Sequence, residues 1–353
     1  MQYHDYLALE KILNSQKPAS LEAGQPAHDE MLFIITHQAY ELWFKQILHE
    51  LDSVLKIFTT EKVDEKDMGQ IVLRLERIGE IQKLLLEQIR VIETMTPLDF
   101  LEFRKHLYPA SGFQSFQFRL LEIKLGLRSE QRLTYNQASY DSQLLPEQAN
   151  QVKEAEASPS LFDGVEKWLE RTPFLSMEAF DFWRTYRSAV EQMFQTEKSK
   201  LQENQFLSQE EKQKATTQME QAEQSFQVLF EPEAFTQARQ KGQWRLSHRA
   251  LQAALLIQLY RDQPILHLPF RLITALIDID ELMTTWRYRH ALMAKRMLGA
   301  RVGTGGSSGF RYLLEASEKH KVFNDFFQLT TFFIPRSSLP PLPPEAEMQL
   351  GFF

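Results

Sequence analysis

The chain contains no cysteine. That excludes a disulfide framework, thiolate-bound zinc or iron–sulfur sites, a cysteine nucleophile, thiolate-ligated haem and covalent C-x-x-C-H haem attachment. Any metal must be held by histidine, carboxylate or a softer neutral ligand. Positive charge is also in deficit, with 40 Lys and Arg against 47 Asp and Glu and a net charge of −7. General nucleic-acid binding needs a basic face to replace phosphate counterions, so it is not expected here. No window reaches about 18 uninterrupted apolar residues, which argues against a membrane partner. The start, Met1-Gln2-Tyr3-His4-Asp5, lacks a basic region followed by an apolar stretch, and the sequence predicts a cytoplasmic protein. The 353 residues allow one large core, or two ordinary ones of roughly 150 residues each.

Glycine is scarce, 13 of 353, and the long stretches between glycines carry apolar residues at spacings of three and four. This is the helical period, and it predicts an all-α protein. One stripe runs from His28 to Thr60 and a second from Val63 to Met95, which predicts an antiparallel pair of long helices. Thr96-Pro97 reads as an N-cap followed by proline at the first helical position, opening a short helix through Arg104 to about Leu107. Another helix is expected over Phe113–Leu125, stopping near Gly126. Residues 127–157 are polar and less periodic, so an excursion with little core is expected there. Helix restarts at Ser158-Pro159, and Met177–Glu203 reads as a long amphipathic one. Residues 196–226 are dominated by Glu, Gln and Lys, the composition of a solvated helical insertion. Trp244–Tyr260 and Phe270–Leu298 return to strong periodicity. The chain therefore reads as one domain over 1–353, with an N-terminal arm over about 1–20 and the polar helical insertion over about 196–226. A proline-rich tail, about 335–353, should be extended over the surface.

Five glycines fall in the window Gly299 to Gly309. Glycines there let the backbone approach a ligand closely, while Thr304, Ser307 and Ser308 add hydroxyls; a flexible linker of the same composition is the alternative. The phosphate-cradling and dinucleotide motifs both fail, since no Gly-Lys pair exists and Ser308 stands where a third glycine is needed. Gly305-Gly-Ser307-Ser-Gly309 matches a nucleophile elbow in letters, but helix rather than strand precedes it. Among nine histidines, none has Glu three residues before it and there is no H-E-x-x-H, so built-in di-iron and zincin chemistry are not expected. Two histidines lie in apolar helices one turn after an aromatic: His37 after Phe33, and His290 after Trp286. Each alone suits a satisfied core histidine. Together they supply what a haem pocket needs, an axial imidazole, a second imidazole across the site, and aromatic walls. Arg104, one turn from Phe100, adds a guanidinium able to grip a carboxylate in bidentate fashion or to pair with Asp99 or Glu102 on the surface.

These segments resemble the tryptophan 2,3-dioxygenase family. The resemblance is carried by Tyr3-His-Asp-Tyr6-Leu7, by His28 through Gln46, by Thr96-Pro-Leu-Asp-Phe100 with Arg104, by Pro109-Ala-Ser111-Gly-Phe-Gln-Ser115, by Trp286-Arg-Tyr-Arg-His290 and by Gly303-Thr-Gly-Gly-Ser-Ser-Gly309. They span both ends of the chain and leave only the middle insertion weakly matched. The resemblance implies an all-α helical-bundle haem b enzyme. It would be a homotetramer that uses O2 to cleave the indole C2–C3 bond of L-tryptophan, giving N-formyl-L-kynurenine. It further implies His290 as the iron ligand, with Trp286, Ser111 and Gly305 beside the haem. His37 would be the catalytic distal histidine facing the indole N–H, Phe33 and Phe100 would wall the substrate, and Arg104 with Thr304 would hold its charged end. Tyr3, Tyr6 and Leu7 would reach in from a neighbouring subunit. Two other readings stay open: a haem monooxygenase of an aromatic amino acid or indole, and a haem or tryptophan sensor without turnover.

Overall fold

A computed structural model of the chain describes every residue except 61, 134–143, 178–179, 300, 302–308 and 352–353. The long helices, in chain order, are α1 (Glu30–Phe58), α2 (Met68–Ile92), α3 (Pro97–Arg104), α4 (Phe116–Leu125), α5 (Pro146–Ala157), α6 (Leu161–Glu170), α7 (Phe182–Glu203), α8 (Gln209–Phe230), α9 (Pro232–Gln240), α10 (His248–Leu259), α11 (His267–Leu298), α12 (Gly309–Lys319) and α13 (Pro344–Leu350). Among the described residues the one sheet is a two-residue pairing, Ser176–Met177 with Phe180–Asp181. The protein is all-α, as the periodicity predicts. No helix among the described residues is long and apolar enough to cross a membrane.

The chain divides into two compact units. The first comprises Met1–Thr59, Leu73–Leu161 and Asp278–Val322. Within it α1 and α2 run antiparallel: the Tyr40 hydroxyl donates to the Leu85 carbonyl at 2.7 Å, and Arg77 donates to Glu50 at 2.8 Å. The buried faces are the predicted stripes, Phe44, Ile47, Leu51 and Val54 on one helix and Leu75, Ile78, Leu85 and Ile89 on the other. Each such side chain stabilises the unit by about 1.5–3 kcal/mol through removal from water. Gln82 donates to the Ile279 carbonyl at 3.4 Å and ties α2 to α11. The start of α3 is a complete capping box, in which the Thr96 hydroxyl accepts from the Asp99 N–H and the Asp99 carboxylate accepts from the Thr96 N–H. Helix α4 stops at Gly126, whose φ of 122° favours glycine.

The second unit comprises Thr60–Val72, Phe162–Ile277 and Phe323–Phe353. Its polar insertion is the hairpin of α7 and α8, with Lys198 and Glu223 paired across the shaft at 2.6 Å. The hairpin is longer than the polar run, because Phe194, Phe226 and Phe230 root it in an apolar cluster with Phe332.

Three expectations need correction. Residues 146–157 form α5, started by Pro146 and holding Val152 fully buried, where little core was expected. Helix α7 starts at Phe182 rather than Met177, since the preceding residues pair as strands and Asp181 caps the helix. Among its described residues the tail runs extended chiefly over 339–343. Arg336–Ser338 is a short 3-10 turn, and Pro344 opens α13, which buries Ala346 and Leu350. Leu350 pays for its order with an apolar contact that proline counting does not register.

In chemical denaturation, Leu75→Ala, which truncates a fully buried side chain, should cost about 2–5 kcal/mol. Thr96→Ala should cost about 1 kcal/mol by removing the cap. Equal losses from the two would contradict this packing.

Candidate active site

The first unit encloses a cavity of about 350 Å³. Helix α1 contributes Phe33, His37, Tyr40, Glu41 and Phe44, which recur one turn apart and so share a face. Helix α11 contributes Trp286, Arg287, His290, Met293 and Met297 by the same rule. Phe100 of α3, Ser111, and Ser115 and Phe118 at the head of α4 complete much of the wall. Aromatic contacts hold the two principal helices in place. Trp286 lies 5.2 Å from Phe118 and 6.0 Å from Tyr40, and Phe33 lies 5.5 Å from Phe103 and 6.0 Å from Phe100.

The two histidines differ in what their rings can do. His37 Nδ1 sits 2.7 Å from the Phe33 carbonyl. A carbonyl only accepts, so that nitrogen carries the proton. Burial lowers the pKa of His37, partly offset by the Phe33 carbonyl and by Glu41 one turn further on. The neutral ring therefore keeps Nε2 as a hydrogen-bond acceptor. His290 is half-buried, and desolvation, with a smaller contribution from His37, pulls its pKa down to about 4. Its Nδ1 is buried with no hydrogen-bond partner. The same holds for Trp286 Nε1, which lies toward the Tyr40 hydroxyl without making a well-formed bond to it. A neutral imidazole in an apolar pocket is the protonation state a metal requires. Among the described residues no group of three or more His, Asp or Glu is placed to hold a bare metal ion.

One end of the cavity is charged. Glu122 of α4, only 2% exposed, receives Arg132 at 2.6 Å, Arg287 at 2.8 Å and Arg119 at 3.4 Å. The Leu133 N–H donates to His320 Nε2 at 3.2 Å, so the His320 proton sits on Nδ1, 3.7 Å from Glu122. Arg287 also donates to the His320 carbonyl at 3.0 Å. This network ties α4, α11 and the end of α12 together beneath the cavity. Burial pushes the Glu122 carboxyl up, but Arg132, the His320 hydrogen bond, Arg287 and Arg119 together outweigh it and hold the group well below its ordinary 4.5.

The residues expected at the site divide as follows. His37, Phe33, Phe100, Ser111, Trp286 and His290 line this one cavity. Arg104 ends α3, half-buried, one turn beyond Phe100, and is not part of the lining. Tyr3, Tyr6 and Leu7 are exposed in the N-terminal turn and do not line it either. Thr304 and Gly305 lie outside the described residues.

A family model for tryptophan 2,3-dioxygenase matches residues 1–333. The chain belongs to the tryptophan 2,3-dioxygenase family. It is 59% identical over 350 residues to a protein of that name from Bdellovibrio bacteriovorus, covering 99% of this chain and 98% of the relative. A namesake from Alteromonas mediterranea is 47% identical, over 99% of this chain and 97% of its own length. One from Dictyostelium discoideum is also 47% identical, over 99% and 88%. Against this tryptophan 2,3-dioxygenase background, residue-level reading missed Glu41, the three lining methionines and the Glu122 network. Glu41 is four residues after His37, and Met293 and Met297 are three and seven after His290, so helical spacing carried the signal for these. The Glu122 network joins residues up to 198 positions apart, from Glu122 to His320, and has no local signature.

Because the Glu122 pKa is depressed, its contribution to stability is fully present above about pH 4.5 and is lost as pH falls below that value. Glu122→Gln should cost about 3–5 kcal/mol at neutral pH. That deficit should shrink on acidification, as the parent carboxylate itself becomes protonated. A deficit independent of pH, in denaturation curves taken across this range, would contradict the assignment.

Proposed function

We propose that the protein is a tryptophan 2,3-dioxygenase with haem b in the cavity of the first unit, held through His290. In this reading both atoms of O2 are added across the indole C2–C3 bond of L-tryptophan, giving N-formyl-L-kynurenine. The observation that carries it is the pairing, on α1 and α11, of two neutral imidazoles lining one aromatic cavity, one of them with a free acceptor nitrogen and the other with a buried ring nitrogen that has no partner. The residues present fit the cofactor. His290 offers a neutral imidazole, Trp286 packs 5.3 Å from it, and the wall away from the charged end is largely aromatic and thioether surface suited to a flat apolar ring system. When bound, haem supplies O2 and one-electron chemistry that no side chain provides.

The chain's own residues do the rest. His37 Nε2 accepts the indole N–H, and its tautomer is fixed by the bond from Nδ1 to the Phe33 carbonyl. Phe33 and Phe100 hold the indole plane and keep water out. Arg104 and Thr304 take the carboxylate and ammonium, Ser111 stands on the His37 side, and Gly305 lets the backbone approach the cofactor. Binding energy at the carboxylate is used for orientation, so a substrate without it loses turnover as well as affinity. Tyr3, Tyr6 and Leu7, exposed in the single chain, complete the pocket of a neighbouring subunit in a homotetramer. The enzyme works in the cytoplasm.

The test is to load the protein with haem, reduce it, add L-tryptophan and air, and weigh the product. A gain of two oxygen atoms is expected. A gain of one, or a haem spectrum without product, would replace this reading with a monooxygenase or a sensor. Arg104→Ala should cost about 2–5 kcal/mol in transition-state binding, read from kcat/KM. His37→Ala should lower kcat while haem is retained.

A further inference from the structure

Three thioethers line the cavity, and the reaction above uses them only as apolar wall: Met95 just beyond α2, and Met293 and Met297 on α11. The latter two lie three and seven residues after His290, so they stand on its face of the helix, about 4.5 and 10.5 Å along the axis. Met95 and Met297 form one apolar cluster with Phe103, against which Met293, Phe33 and Phe100 pack. Met95 is 2% exposed and Met297 is 7% exposed. Met293 is half-buried. Bulk oxidant should therefore reach Met95 and Met297 last, yet all three border the place where O2 chemistry would occur.

We propose that Met95, Met293 and Met297 are a site of oxidative modification, converted to methionine sulfoxide by hydrogen peroxide acting within the cavity. The proposal rests on the haem reading above. Peroxide is the reduced-oxygen by-product of O2 activation that is not coupled to substrate. One thioether and one hydrogen peroxide give one sulfoxide and one water. The sulfur electron pair forms the S–O bond, the O–O bond breaks, and the departing hydroxide takes the proton of the transferred oxygen. The product is polar where the thioether was apolar, so it disturbs the wall that Phe33 and Phe100 share. Oxidation then lowers indole binding.

The remaining methionines provide the controls. Met31 and Met348 are exposed at 42% and 57%, whereas Met68 and Met283 are 1% and 6% exposed and do not line the cavity. The experiment gives haem-loaded protein reductant and air without L-tryptophan, with catalase to remove bulk peroxide, gives haem-free protein limiting hydrogen peroxide, and locates one-oxygen gains by peptide mass spectrometry. In the loaded protein the cavity methionines should gain oxygen at least about fivefold faster than Met31 and Met348, while Met68 and Met283 stay unmodified. In the haem-free protein the order should reverse, and L-tryptophan added to the loaded protein should slow the cavity positions selectively. Exposed methionines reacting first in both forms would overturn the proposal while leaving the haem reading intact. Failure of the protein to take up haem, seen in its absorption spectrum before reductant is added, would overturn both.

Discussion

A buried ring nitrogen of His290 without a hydrogen-bond partner is the constraint on which the site depends. Leaving one nitrogen of His290 unpaired costs about 1–3 kcal/mol relative to a satisfied ring. The surrounding structure must hold it there. Helix α11 does so by packing Trp286 against Tyr40, Phe44 and Phe118, which fixes the helix face that carries His290. The Glu122 network anchors Arg287, one turn before His290, to α4 and to the end of α12. The polar cluster thus serves the apolar one, because it sets the rotation of α11 and so the direction in which the imidazole faces.

The opposite wall is organised by the same logic. The backbone of α1 supplies the Phe33 carbonyl that orients His37, and side chains four residues apart bring Phe33, His37 and Glu41 onto one face. Glu41 is held in turn by the Ser115 hydroxyl at 2.6 Å and by Gln117 at 2.8 Å, which ties α1 to the head of α4. Desolvation lowers the pKa of both histidines, although His37 keeps an exposed edge, and the bond to the Phe33 carbonyl leaves His37 Nε2 as an acceptor.

Much of this was legible in the residues, and the parts that were not have identifiable reasons. Long stripes such as Leu75, Ile78, Leu85 and Ile89 announce helix because their period is local. Thr96-Pro97 announces a helix start because capping chemistry is local too. His37 and His290 stood out as polar residues within apolar stripes. Helix α5 and the α13 tail did not, since short helices with one or two buried side chains leave little periodicity to read. The Glu122 cluster was illegible for a different reason: arginines read from sequence as surface charges until the fold brings three of them to one carboxylate.

The most direct measurement of the central claim is haem binding by His290→Ala against the parent chain, followed by optical titration with and without added imidazole. If His290 holds the haem, the variant loses tight binding, and free imidazole in the vacated space restores a parent-like spectrum. Haem bound by the variant with unchanged affinity and spectrum would contradict the account.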